Sequence, residues 1–92
     1  MYKRKLNKQL LPTPASYYKR EFPSMKIKLE KVNVKCPFHD DKTPSLNLNM
    51  INGRFYCFAC CAKGGDIIDF HMQRYGFNFI ETVNFFGAWS YE

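Results

Sequence analysis

The 92-residue sequence has no apolar run long enough to span a bilayer or to form the core of a secretion signal. Met1 to Leu11 carries basic side chains between scattered leucines, and nothing in the chain is expected to cross a membrane. No internal repeat or low-complexity tract appears, so a solenoid is not expected. Acids are few: eight Asp and Glu stand against fourteen Lys and Arg, for a net charge of +6. Residues 1–35 hold ten basic residues against Glu21 and Glu30, whereas residues 36–92 hold four against six acids. Positive charge so concentrated points to a polyanionic partner, although residues 1–10 alone could equally be a solubilising tail. Chains this short bury too little apolar surface for a large core and often lean on a metal or on disulfides.

Four cysteines are present, and three of them with one histidine form two close pairs, Cys36-Pro-Phe-His39 and Cys57-Phe-Ala-Cys60, with seventeen residues between them. Ligands three positions apart reach one ion from a single tight turn, and two such turns held by a hairpin complete a tetrahedron of three sulfurs and one nitrogen. We therefore expect one Zn2+, and a structural one, because a hydrolytic site keeps a position open for water. Cys61 competes with Cys60 as the last ligand, and the turn geometry favours Cys60. Iron–sulfur ligation would discard His39 and need both adjacent thiolates. A metal site without a secretion signal implies a reducing compartment, most simply the cytoplasm.

The order of elements implies an α+β domain. Residues 1–12 show no period and read as a basic N-terminal arm, leaving 13–92 as the zinc-binding domain. Thr13-Pro14 starts a helix that Pro23 stops, with Tyr18 and Phe22 facing the core and Lys19 and Arg20 outward. From Met25 an alternating pattern predicts two short strand pieces that deliver Cys36. Asn52-Gly53 between alternating runs predicts a two-residue type I′ hairpin with Ile51 opposite Arg54, Met50 opposite Phe55, Asn49 opposite Tyr56, Leu48 opposite Cys57 and Asn47 opposite Phe58. One face, with Leu46, Leu48, Met50, Phe55 and Cys57, is then apolar, and the other carries Asn47, Asn49, Ile51, Arg54, Tyr56 and Phe58. Asp66 after two glycines caps a helix running to Gly76, and Asn78 with Glu81 forms a capping box for a second helix ending at Gly87. Ala88-Trp89 is expected to pack back on the core.

Three blocks, Cys36-Pro-Phe-His-Asp-Asp-Lys-Thr-Pro-Ser45, Gly53-Arg-Phe-Tyr-Cys-Phe-Ala-Cys60 and Ala62-Lys-Gly-Gly-Asp66 through Asp69-Phe70, resemble the Cys-His-Cys-Cys zinc-binding domain of bacterial and phage DNA primases. The resemblance covers about residues 25–88. It implies a zinc-ribbon-like antiparallel sheet with flanking helices, zinc ligands Cys36, His39, Cys57 and Cys60, and recognition of single-stranded template DNA during replication priming. The family usually has glycine where this chain has Cys61, and a cysteine does not take positive φ freely, so the second knuckle is expected to be strained. In these primases polymerisation belongs to a separate domain whose clustered acids hold magnesium. Asp40, Asp41, Asp66 and Asp69 are too few and are explained as turn and capping residues, so this stretch alone is not expected to make primers. It reads as a fragment of a primase or as a free-standing module of a plasmid, phage or other mobile element, working with a primase catalytic domain or a helicase.

Two functional readings follow. In the first, single-stranded DNA lies on the polar hairpin face, where Tyr56 and Phe58 stack on bases and Arg54, Asn47 and Asn49 contact phosphate or base edges. Lys42 and Lys63 flank this face, and Lys19 and Arg20 add phosphate contacts. In the second, the aromatics Phe85, Phe86, Trp89 and Tyr91 dock on a replication or transcription protein. Zinc hydrolysis with His71 as base is disfavoured by the closed shell.

Overall fold

Phe70 is fully buried, and five rings meet it edge-on at centroid distances of 5.1–6.0 Å: Tyr17, Tyr18, Phe22, Phe38 and Phe55. This computed structural model describes residues 3–40 and 42–91, so Asp41, expected as a turn residue, and the chain ends at Met1, Tyr2 and Glu92 lie outside the described residues. Three of the rings come from the stretch Tyr17–Phe22 and the other two from Phe38 and Phe55, and edge-to-face contacts of this kind add about 0.5–1.5 kcal/mol each beyond area burial.

Helix α1 (Pro14–Glu21) starts as expected, with Thr13 Oγ1 accepting from the Ser16 amide. Tyr17 and Tyr18 are buried, Phe22 packs against the core, and Lys19 and Arg20 are exposed. Strand β1 (Arg4–Leu6) precedes α1, within the stretch expected as a basic arm, and pairs antiparallel with β6 (Trp89–Tyr91). The Arg4 guanidinium lies 4.5 Å from the centre of the Trp89 ring, so a cation–π contact joins the two ends of the chain.

The main sheet has four strands in the order β2-β3-β4-β5: Lys31–Val34, Leu46–Asn49, Phe55–Cys57 and Lys63–Gly64, all antiparallel. The alternation from Met25 does not become a strand until Lys31. Met25 is buried, but residues 26–30 are exposed, and Ile27 and Leu29 pack against no core. Alternation makes a strand only where a neighbouring strand accepts the backbone, and β3 reaches no further than Glu30, whose carbonyl accepts from the Met50 amide.

The hairpin register also differs from the two-residue turn. Leu48 faces Phe55, Asn47 faces Tyr56 and Leu46 faces Cys57, with Met50, Ile51, Asn52 and Gly53 forming the loop. The cause is Asn49: its Oδ1 accepts from the Ile51 and Asn52 amides at 2.8 and 3.1 Å, and its carbonyl accepts from Gly53, which sits at φ +81. A side chain that caps the turn itself outcompetes the tighter loop. Because the slip is by two residues, every side chain keeps its face. Leu46, Leu48, Met50, Phe55 and Cys57 are buried as expected.

Gly64 lies where a Cβ would come within 2.5 Å of the Phe55 ring and 2.7 Å of Asp69 Cβ, so the backbone there packs directly on the core aromatic. Helix α2 (Ile67–Tyr75) follows, with Asp66 Oδ1 accepting from the Asp69 amide, and Gly76 ends it in the left-handed region. Helix α3 (Phe79–Phe86) carries the expected capping box between Asn78 and Glu81. Val83 and Ala88 are buried, while Phe79 is 43% exposed. None of the described helices is long and apolar enough to cross a membrane.

Candidate metal centre and the sheet face beside it

Cys36 follows β2, Cys57 ends β4, and His39 and Cys60 sit one tight turn beyond each. The fold brings the four ligand atoms within 4.8 Å of one another. Two thiolates bound tetrahedrally at about 2.3 Å from zinc are separated by about 3.8 Å, and the Cys36 and Cys60 sulfurs are 3.8 Å apart. His39 Nε2 lies 3.3 Å from Cys57 Sγ. The residues thus fit a single tetrahedral zinc ion with no position left over.

The surroundings fix the ligands. His39 Nδ1 faces the Asp40 carbonyl at 3.2 Å, which holds the proton on Nδ1 and leaves Nε2 to the metal. Ser45 Oγ lies 3.3 Å from Cys57 Sγ, and the Cys60 amide donates to the same sulfur at 3.5 Å. Burial pushes the Cys36 thiol up to about 12, against the pull of the Phe38 amide. Burial works upward at Cys57 too, but hydrogen bonds, from Ser45 foremost and then from the Cys60 and Ala59 amides, outweigh it and bring that thiol down to about 6. Hydrogen bonding thus favours the thiolate at Cys57, and the charge of a bound ion favours it at both cysteines.

Cys61 is exposed and lies outside the ligand set. Its φ of +63 makes it the one positive-φ residue other than glycine among the described residues. Its amide donates to the Cys57 carbonyl at 2.9 Å, closing the second knuckle in a conformation that suits glycine.

Beside the metal, Asn47, Asn49, Arg54, Tyr56 and Lys63 line one open groove of ≈ 900 Å³, together with Glu30, Lys31 and Asn52. Tyr56 is 40% exposed and Phe58 65% exposed, their rings edge-on at 5.2 Å. The structure does not bring Lys42, Lys19 or Arg20 into this groove. Lys42 is exposed in the connection before β3. Lys19 donates to the Met25 carbonyl, and Arg20 lines a separate cavity with Tyr17, Glu21, His71 and Tyr75. Asn49 is mostly buried, its oxygen already used by the hairpin loop.

Sequence reasoning missed Asn33, exposed on β2 and bonded to Asn47. Its alternation with Val32 and Val34 was the available signal.

A four-strand ribbon whose two knuckles present Cys, His, Cys and Cys to one zinc ion defines a class, and the family comparison agrees: the CHC2 zinc finger profile, a DnaG-type zinc ribbon, matches residues 20–89. The chain belongs to this family. Among curated proteins it is similar to the DNA primase of Borreliella burgdorferi, 52% identical over 48 residues that make up 52% of this chain and 9% of that primase. It also matches the DNA primase of Chlamydia trachomatis, at 44% over 50 residues, covering 54% of this chain and 8% of the relative. With the DNA primase of Campylobacter jejuni it shares 48% over 48 residues, again 52% of this chain and 8% of the relative. The matched region is thus less than a tenth of each primase.

Proposed function

We propose that this chain is a zinc-stapled, single-stranded DNA-binding module that recognises template in replication priming, acting with a primase catalytic domain or helicase. The carrying observation is that Tyr56 is exposed beside Lys63, its direct neighbour across the β4–β5 ladder, in a groove with Arg54 and Asn47. A ring flanked by cations takes a base on its face while the cations meet the adjacent phosphates. The zinc ion is structural: it holds β4 and the two knuckles so that this face stays flat and presented.

Fluorescence anisotropy with a short labelled strand at several salt concentrations tests the reading. Stacking on an aromatic is worth roughly 1–3 kcal/mol per base, so Tyr56→Ala weakens binding about five-fold to over a hundred-fold with zinc content intact. Lys63→Ala instead lowers the salt slope, independently of base sequence. Undiminished affinity in Tyr56→Ala together with a flat salt response overturns the proposal. That outcome favours docking on a replication or transcription protein, a reading supported by Phe85 and Tyr91, which are 52% and 63% exposed.

A further inference from the structure

A cavity of ≈ 270 Å³ lies between α1, α2 and α3, and none of its lining residues lines the groove of the sheet. Its walls are rings: Tyr17 from α1, His71 and Tyr75 from α2, Phe77 from the connection between the helices, and Phe85 from α3. The imidazole ties them together, with Phe85 stacked on it at a centroid distance of 4.2 Å and Tyr75 and Phe77 at 4.6 and 5.2 Å. Tyr75 and Phe85 are also exposed, so these two walls reach the surface.

Glu21 is the acidic group of the lining, and its side chain keeps 16% of its surface exposed. It receives two hydroxyl protons, from Tyr17 at 3.0 Å from Oε1 and from Tyr75 at 2.8 and 3.0 Å from Oε1 and Oε2. A carboxylate accepts at about four lone-pair sites, so Oε2 retains capacity for a further donor. His71 Nε2 is the other unanswered acceptor of the lining among the described residues, but that atom is buried, and Glu21 is the one a ligand reaches.

We infer that this cavity receives one aromatic side chain bearing an N–H or O–H donor, tryptophan or tyrosine, from a partner protein, its ring among the aromatic walls and its donor on Glu21. The site stands apart from the DNA-binding face, and no DNA enters its test. A lysine or arginine would also donate, but Arg20 in the lining and Arg74, 5.5 Å from the centre of the Tyr75 ring, oppose a second positive charge. A nucleobase stacks and donates too, yet it brings acceptors of its own, and its phosphate has the same sign of charge as Glu21. The size agrees with a side chain, since pockets that take whole small molecules run to about 300–1,000 Å³. Tryptophan and tyrosine are the residues that most often anchor interfaces by filling such pockets.

The test titrates the zinc-loaded, isotope-labelled chain with capped Gly-Trp-Gly, Gly-Tyr-Gly and Gly-Phe-Gly, following the amide resonances of Arg20, Glu21 and Phe77. The Trp and Tyr peptides are expected to give saturable shifts at these residues with dissociation constants below about 1 mM. The Phe peptide, which stacks but cannot donate, binds about ten-fold or more weakly, the loss of one hydrogen bond to a charged group. Phe85→Ala, a change at an exposed wall, weakens the Trp peptide about two- to ten-fold with zinc content intact. Equal affinity for the Phe peptide overturns the role of Glu21 as anchor, and unchanged binding in Phe85→Ala overturns the location. Shifts at these residues with deoxyadenosine monophosphate but with none of the peptides would make the cavity a nucleotide site instead. Absence of shifts with every ligand overturns the inference and leaves the DNA-binding reading standing.

Discussion

Tyr17 Oη and His71 Nδ1 lie 2.7 Å apart, joining α1 to α2 inside the aromatic core. The same hydroxyl lies 3.0 Å from Glu21 Oε1, which the carboxylate can only accept, so its single proton goes to Glu21. His71 must then donate from Nδ1, and its Nε2 is buried without a partner among the described residues. A neutral imidazole suits this site, and burial lowers the His71 pKa below 6.5, outweighing Glu21, which raises it, while Arg74 lowers it further.

The sign of the pH dependence follows. With the folded pKa below the unfolded one, the unfolded chain binds more protons near pH 6, so His71 contributes its full stability above about 6.5 and loses it as pH falls below that value. Thermal melts from pH 7.5 to 5.0 check this against His71→Phe. Acid also weakens zinc ligation in both proteins, so the informative quantity is the difference, and the native melting temperature falls more steeply. Parallel curves would assign the acid sensitivity to the metal centre alone.

Zinc removal unfolds the ribbon. The chain binds one zinc ion, and a strong chelator should lower both its melting temperature and its strand signal in circular dichroism, because β4 and the knuckles are tied together mainly through the ligands. Elemental analysis with melts before and after chelation measures this, and unchanged melts in metal-free protein would contradict a structural ion.

Adjacent Cys60 and Cys61 respond in opposite ways. Cys60→Ser removes a ligand and abolishes stoichiometric zinc. Cys61→Gly keeps it and raises stability by about 0.5–1 kcal/mol, since glycine adopts the φ of +63 without the cost a Cβ incurs there. Zinc stoichiometry and denaturant midpoints of the two variants decide the matter, and the reverse pattern would mean that Cys61 is the ligand.

Phe70→Ala should be the most damaging single truncation in the core, at about 3–5 kcal/mol. It empties the point where α1, α2, β4 and the first knuckle meet. Urea unfolding of zinc-loaded protein measures the loss, and a cost below about 1 kcal/mol would show that the surrounding rings close over the gap.

Much of this was readable from local pattern. Ligand spacing, Thr13 and Asp66 as caps, the Asn78–Glu81 capping box and the division of the hairpin into two faces each depend on residues a few positions apart, whose chemistry acts before any tertiary contact forms. Even the misplaced turn preserved the faces, because a two-residue slip retains the side-chain period. Cys61 in the place of a glycine announced the strained knuckle that the backbone shows. What lay beyond the sequence was set by partners distant along the chain. Residues 26–29 alternate like a strand yet find no strand to pair with among the described residues. Arg4–Leu6 has no period of its own and becomes a strand because Trp89–Tyr91 lies alongside it. The row of Asn33, Asn47, Tyr56 and Lys63 across the four strands is likewise tertiary, since it requires three registers at once, and a register is fixed by packing and turn geometry rather than by the composition of any one strand.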